Sequence, residues 1–350
     1  MNTEELKRRW CRRRGATTLM TALLRPEALS RGELRELSHP LCVELALSEG
    51  LGGALYSLVE SGPLTLSERS SARLRQERLK QVWLEEARSA ALVSAWPQQL
   101  PAPLLIKGAS YSPRLRGAEA LWGEGERASS DLDLLVPCSL EELTRAFKAQ
   151  LSPEQSAARA RRSACLAVDL SGLLTECHTA IAPPLYWPRR GELSARAMWA
   201  RGEERALLAH PHGERRSLSV RVPSHLDALV IALAQLLKSG ADLRLRDWLD
   251  LTRLLQRAGA GLDEALRSSA WRELGLDRCL QLALVGLSQT PAWAELPTEQ
   301  RALMREGSRD SAALTPLAHP LSGHSATLAE RLYTKALLMK GRPFTRSLLQ

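Results

Sequence analysis

Two acidic residues, Asp131 and Asp133, are separated by a single leucine in the otherwise apolar segment 131–136. Alternate side chains of a β-strand share one face, so the pattern predicts both carboxylates on one face and Leu132 and Leu134 in a core on the other. Two like charges at this spacing raise each other's pKa, and a bound divalent cation removes the repulsion. The segment therefore predicts either a metal site or an edge strand with a solvated acidic face.

A second segment suited to chemistry lies upstream, where the apolar run 103–106 ends in Lys107, Gly108, Ala109 and Ser110. Gly108 has no Cβ, so a phosphate can approach the backbone closely at this turn. Ser110 offers a hydroxyl and a backbone N–H at the predicted start of the next helix, and Lys107 adds a positive charge. The segment predicts a phosphate-binding turn close to the acidic pair.

These two segments resemble the uncharacterised nucleotidyltransferase family of the polymerase-β-like nucleotidyltransferase superfamily. The resemblance rests on Lys107-Gly108, on Arg127 four residues before the first acid, and on the run 130–136. It implies transfer of a nucleoside monophosphate from a nucleoside triphosphate to a hydroxyl-bearing acceptor, which is a protein side chain, an RNA end or a small metabolite. It also implies that Asp131, Asp133 and a third acid hold Mg²⁺ or Mn²⁺, while Lys107, Gly108, Ser110 and Arg127 bind the nucleotide.

The chain departs from the superfamily pattern at two points. Ala109 stands where the superfamily usually carries Ser, and the Gly-rich segment 117–126 is longer than the pattern requires. We interpret this segment as an inserted loop at the mouth of the site, which shapes access and carries no chemistry.

A predicted β-hairpin supplies the third acid. Segments 164–170 and 173–181 flank Ser171-Gly172, which is typical of a two-residue turn, and a tight turn places Asp169 on the same face as Glu176 and His178. The resemblance favours Glu176 as the third metal ligand, because relatives carry an acid two residues before a His in this strand. Asp169 remains the alternative ligand, and His178 is either a substrate or phosphate contact or a buried sheet histidine.

Two further helices are predicted beyond Pro223. Ser224 is a candidate N-cap for a helix that ends at Ser239, and a second helix covers 243–255. The resemblance places a family aspartate at Asp250, and Lys238 is a candidate contact for the triphosphate. The alternative is that both residues make only helix-capping contacts and ordinary ion pairs.

Composition is typical of a cytoplasmic protein with a sizeable core. The chain has 350 residues, of which 44% are hydrophobic, and no apolar run long enough to span a membrane. Its six cysteines show no C-x-x-C pair and no zinc spacing, so we expect reduced thiols and no structural metal. The net charge of +9 allows a nucleic-acid partner, although no motif of a known RNA-binding module is present.

The predicted fold class is α+β, with a small mixed β-sheet nucleotidyltransferase core between two helical parts. Residues 1–100 form the N-terminal helical region, 101–222 the nucleotidyltransferase-like α/β core and 223–350 the C-terminal helical region. Two other classes of function stay open. One is a catalytically silent relative that binds a nucleotide or a partner, and the other is a basic helical nucleic-acid-binding protein whose acidic strand is incidental.

Overall fold

The protein has an α+β fold in which helices surround a single mixed sheet. The computed structural model describes residues 3–129, 131–148, 164–181, 194–239, 243–268, 271 and 276–306. The sequence beyond residue 306 predicts a linker followed by a basic helix, and both lie outside the described residues. Within the described part of the chain, no helix is both long enough and apolar enough to cross a membrane.

The N-terminal region is helical, as predicted. Its helices are α1 (Thr3–Leu24), α2 (Arg31–Leu37), α3 (Pro40–Ser48), α4 (Gly52–Glu60) and α5 (Glu68–Ala95). The Ser67 hydroxyl accepts a hydrogen bond from the backbone N–H of Ser70 and so caps α5. A single long helix, α5, therefore precedes the sheet.

The sheet has six described strands and three short helices in its connections. The strands are β1 (Leu104–Leu105), β2 (Leu132–Leu135), β3 (Cys165–Leu170), β4 (Leu173–His178), β5 (Glu203–Ala209) and β6 (Arg216–Val222). The helices are α6 (Pro113–Arg116), α7 (Leu140–Ala146) and α8 (Ala195–Arg201). The strand order is β3-β4-β2-β1-β6-β5, with β2 parallel to β4 and β1 parallel to β6, while the other neighbours are antiparallel.

The hairpin between β3 and β4 confirms the predicted two-residue turn. Leu170 pairs with Leu173, and both turn residues have left-handed backbone angles, with φ of 56° at Ser171 and 81° at Gly172. Positive φ at both central residues matches the right-handed twist of the flanking strands. The second hairpin, β5–β6, was not predicted from the sequence.

The C-terminal region supplies six described helices. They are α9 (His225–Ser239), α10 (Leu245–Ala258), α11 (Ala260–Arg267), α12 (Leu276–Ser288), α13 (Ala292–Glu295) and α14 (Thr298–Glu306). The Ser224 hydroxyl accepts a hydrogen bond from the backbone N–H of Asp227, which confirms the predicted N-cap of α9.

Two apolar cores lie on opposite faces of the sheet. The larger one joins residues of α1, α3 and α4 to residues of α9, α10 and α12, and it reaches the sheet at Leu104 and Leu135. The smaller one packs Leu132 and Leu134 against α5 and α7. Successive residues of β2 therefore point to opposite faces, and the face that carries Leu135 also carries Asp133.

Candidate active site

Three carboxylates converge on one face of the sheet. Asp133 on β2 is the direct cross-strand partner of Glu176 on the parallel neighbour β4, and Asp131 immediately precedes β2 on the same face. One carboxylate oxygen from each residue lies within 4.8 Å of the other two. We call Asp131, Asp133 and Glu176 the acid group. Asp133 is 5% exposed, whereas 30% of the Glu176 side chain is exposed, so the group opens to solvent on the β4 side.

Two cationic side chains contact the acid group. Lys107 Nζ lies 2.5 Å from Asp133 Oδ1, and His178 Nε2 lies 3.0 Å from the same oxygen and 3.4 Å from Glu176 Oε2. Burial raises the pKa of Asp133, but the hydrogen bond with His178 and the charge of Lys107 outweigh it and bring the pKa well below its usual range.

The same contacts favour the protonated form of His178. Burial lowers the pKa of His178, but its hydrogen bonds with Asp133, Cys165 and Glu176 outweigh burial and raise the pKa well above its usual value. The three carboxylates then face an ammonium and an imidazolium group, and the Arg88 guanidinium lies close enough to Asp131 for their charges to interact. Carboxylate oxygens are the ligands that Mg²⁺ and Mn²⁺ prefer, so the residues of the acid group fit such an ion.

The Lys107-Gly108 turn is held by a contact that the sequence does not reveal. Lys107 has φ of 54°, a left-handed conformation that is unusual for a residue with a Cβ and that occurs at functional sites. A Cβ on Gly108 would overlap with Nη1 of Arg127. The absence of a Cβ on Gly108 therefore makes room for the Arg127 guanidinium. The predicted close approach of a phosphate stays a prediction.

A substitution at this turn tests the packing argument. Gly108→Ala is expected to lower the free energy of unfolding by about 1–3 kcal/mol, because the added methyl displaces a buried guanidinium. Urea denaturation measures this change. Gly32→Ala is the matched control, since its Cβ would lie 3.8 Å from the nearest heavy atom, Ser30 Oγ, and no loss of stability is expected. Equal stability of the two variants would contradict the packing argument.

The structure gives Ser110 a structural contact in place of the predicted phosphate contact. The expected long helix after the turn is replaced by a 3-10 helix, Lys107–Tyr111, and the four-residue α6. Ser110 is fully buried, and its hydroxyl donates a hydrogen bond to the carbonyl oxygen of Lys107 at 2.8 Å. The Ser110 side chain therefore stabilises the turn and does not reach the acid group.

Arg127 and Asp250, both predicted near the nucleotide, form a buried ion pair with each other. Arg127 Nη2 lies 2.7 Å from Asp250 Oδ2 and 3.4 Å from Asp247 Oδ1, and Nε also donates to Asp250. Trp122 Nε1 donates to Asp250 Oδ1 at 2.6 Å. Only 10% of the Arg127 side chain is exposed. The ion pair therefore connects α10 to the Lys107-Gly108 turn, and the Arg127 guanidinium binds Asp247 and Asp250 of that helix.

The inserted segment 117–126 is anchored on both sides. Trp122 is buried, its ring lies under the Arg253 guanidinium at 3.8 Å, and the same guanidinium donates to the carbonyl oxygen of Leu121. On the other side, the backbone N–H of Ala54 donates to the carbonyl oxygen of Glu126 at 3.2 Å. The segment thus packs between the N-terminal and C-terminal helices.

The remaining predicted residues lie apart from the acid group. Asp169 is exposed near the tip of the hairpin, where its Oδ1 accepts a hydrogen bond from the backbone N–H of Gly172 at 2.5 Å. Of the two candidates for the third acid, Glu176 is the one that lies within the group. Lys238 belongs to α9, and its side chain lies outside the described residues.

Two features near the site were missed by sequence reasoning. Cys165 Sγ lies 4.0 Å from His178 Nε2. A cavity beside β1 and β2 is lined by Leu105 and Leu132 of the smaller core, by Gly108 of the turn, by Asp131 and by α5 residues that include Glu85 and Arg88. Burial raises the pKa of the Glu85 carboxyl in this cavity. Glu85 and Arg88 are three positions apart on α5, a spacing that is compatible with one face of a helix.

Fold and site together define an α+β protein with an acid group on one face of a mixed sheet. Comparisons with protein-family models, with curated proteins and with solved structures give no match to this chain. Its function is therefore argued from the geometry of the site.

Proposed function

We propose that the protein is a metal-dependent nucleotidyltransferase. The observation that carries the proposal is the register of β2 and β4, which places Asp133 opposite Glu176 with Asp131 one residue before the strand. Asp131, Asp133 and Glu176 would hold Mg²⁺ or Mn²⁺. When bound, the metal neutralises charge on the phosphates and lowers the pKa of the acceptor hydroxyl.

The reaction joins an acceptor hydroxyl to the α-phosphate of a nucleoside triphosphate. The acceptor oxygen forms a bond to the α-phosphorus, the bond from that phosphorus to the α,β-bridging oxygen breaks, pyrophosphate leaves, and the acceptor proton passes to water. Lys107 lies beside the acid group and would be a positive contact for the triphosphate. His178 holds Asp133 and Glu176 in one orientation through its contacts with both carboxylates.

A catalytically silent nucleotide-binding protein is the second candidate. This candidate is favoured by the ammonium group of Lys107, which lies 2.5 Å from Asp133 Oδ1. The Lys107 side chain is 28% exposed. In this case the lysine stabilises the acid group in the way a metal would, and nucleotide binding proceeds without turnover. A basic nucleic-acid-binding protein is the third, and its RNA or DNA retention would fall steeply with salt and would be unchanged by loss of the acid group.

Labelled nucleotides distinguish these candidates. The purified protein is incubated with Mg²⁺ or Mn²⁺ and with each of the four triphosphates, labelled at the α-phosphate or, as the control, at the γ-phosphate. A lysate separated into protein, RNA and small-molecule fractions supplies acceptors. We expect α-label, and not γ-label, in one fraction, with release of pyrophosphate. Nucleotide binding without transfer or pyrophosphate release would identify the silent protein and overturn the proposed activity.

A further inference from the structure

We infer that Cys165, Glu176 and His178 form a second metal site, which takes a thiophilic transition-metal ion such as Zn²⁺. We call these residues the thiol–imidazole group. Cys165 on β3 and His178 on β4 are direct cross-strand partners, and Glu176 lies two residues before His178 on the same face. One ligand atom from each residue lies within 4.8 Å of the other two.

The distances suit tetrahedral coordination. Ideal zinc bond lengths place a sulfur and a nitrogen ligand about 3.6 Å apart, and a nitrogen and an oxygen ligand about 3.3 Å apart. The corresponding separations are 4.0 Å from Cys165 Sγ to His178 Nε2 and 3.4 Å from His178 Nε2 to Glu176 Oε2. Asp133 Oδ1, 3.0 Å from the same nitrogen, offers a fourth ligand atom. Small shifts of the side chains therefore complete the site.

Backbone strain lies next to the thiol. Among the described residues, three residues other than glycine have left-handed φ angles, namely Lys107, Ala164 and Ser171. Ser171 belongs to the hairpin turn, but Ala164 directly precedes Cys165 and has φ of 51°. The carbonyl oxygen of Ala164 is held by the backbone N–H of Thr179 at 2.8 Å. Strain of this kind persists where surrounding contacts fix it, and here it holds the thiol opposite the imidazole.

The second site overlaps with the acid group. Glu176 belongs to both groups and Asp133 offers the fourth ligand atom, so an ion held by Cys165 and His178 withholds two of the three carboxylates from Mg²⁺. Thiolate and imidazole ligands select zinc-like ions, whereas the acid group selects hard ions. Zn²⁺ therefore inhibits the transfer reaction by occupying the thiol–imidazole group. This inhibition rests on the proposed function, whereas the binding site itself does not.

Cobalt spectroscopy tests the site without any activity measurement. Untagged full-length protein, kept reduced, is titrated with Co²⁺, whose bond to a thiolate gives a charge-transfer absorption band in the near ultraviolet. We expect a band that saturates at one ion per chain and that disappears on addition of Zn²⁺. Cys165→Ser is expected to lose the band and to bind the ion at least about tenfold more weakly. A wild-type protein with no band would overturn the inference.

Two further variants separate the site from its surroundings. Cys177→Ala is the matched control, because Cys177 lies on the adjacent position of β4 but points into the smaller core, and it is expected to keep the band. A band retained in Cys165→Ser or lost in a folded Cys177→Ala would contradict the assignment. Asp131→Asn is expected to keep the band but to lose transfer activity. A band without transfer in the wild type would refute the proposed function and leave the second site standing.

Discussion

Asp133→Asn is expected to lower the rate of nucleotide transfer by about three orders of magnitude. The substitution keeps the size of the side chain and one carbonyl oxygen for Lys107 and His178, but it removes the charge at the centre of the acid group. Charge stabilisation by a bound metal contributes several kcal/mol to such a reaction, and about 1.4 kcal/mol corresponds to a tenfold change in rate. Initial rates with α-labelled triphosphate, measured at saturating Mg²⁺, check this result.

Asp169→Asn is the control for this prediction, and it also tests the assignment of the third acid. Asp169 lies on the same face of the hairpin, but its carboxylate is bonded to the turn at Gly172. Its variant is expected to keep wild-type activity within about twofold, whereas Glu176→Gln is expected to lose activity as Asp133→Asn does. Thermal unfolding confirms that each variant is folded. A loss in Asp169→Asn with none in Glu176→Gln would make Asp169 the third ligand.

Asp250→Ala is expected to lower the free energy of unfolding by about 3–5 kcal/mol, because it leaves the buried Arg127 guanidinium without its main partner. Burial raises the pKa of the Asp250 carboxyl, and the charge and hydrogen bonds of Arg127 lower it only in part, so the pair carries a desolvation cost. Trp122 also loses the acceptor of its N–H group. Urea denaturation, with the slope as well as the midpoint recorded, measures the change.

Two further variants serve as comparisons for the stability of Asp250→Ala. Asp247→Ala, on the same helix, removes an oxygen 3.4 Å from Arg127 Nη2, and 28% of the Asp247 side chain is exposed, so a loss of about 1 kcal/mol or less is expected. The double variant Arg127→Met with Asp250→Leu removes both charges and is expected to be more stable than Asp250→Ala. If Asp250→Ala costs no more than Asp247→Ala, the ion pair does not fasten α10 to the turn.

The parts of the fold that depend on neighbouring residues could be predicted from the sequence. Alternation along 131–136 predicts β2, the Ser171-Gly172 pair predicts the hairpin, and Ser224 predicts the start of α9. Each of these signals acts within a few residues, so no tertiary information is needed. The convergence of Asp131, Asp133 and Glu176 follows once β2 and β4 are neighbours, and the sequence does not state that pairing.

Features that depend on contacts between residues distant in the sequence were not predicted. Arg127 and Asp250 are 123 positions apart, so the sequence could not reveal that the guanidinium binds α10. The thiol–imidazole group could have been found, because counting back from the predicted turn pairs Cys165 with His178. A search for zinc motifs whose ligands are close in sequence does not find ligands that lie on different strands and are brought together by the strand register. The burial of Ser110 was not predicted, because the segment after the turn is a short 3-10 helix and the sequence predicted the start of a helix there.

The larger core has a consequence for the order in which the chain is synthesised. Leu19 and Leu55 from the first helices pack in the same core as Trp248 and Leu284, which leave the ribosome much later. The N-terminal helices therefore cannot complete this core while translation is still passing through the sheet. Because Leu284 belongs to the same core, part of its apolar surface stays exposed on the nascent chain until most of the described residues have emerged.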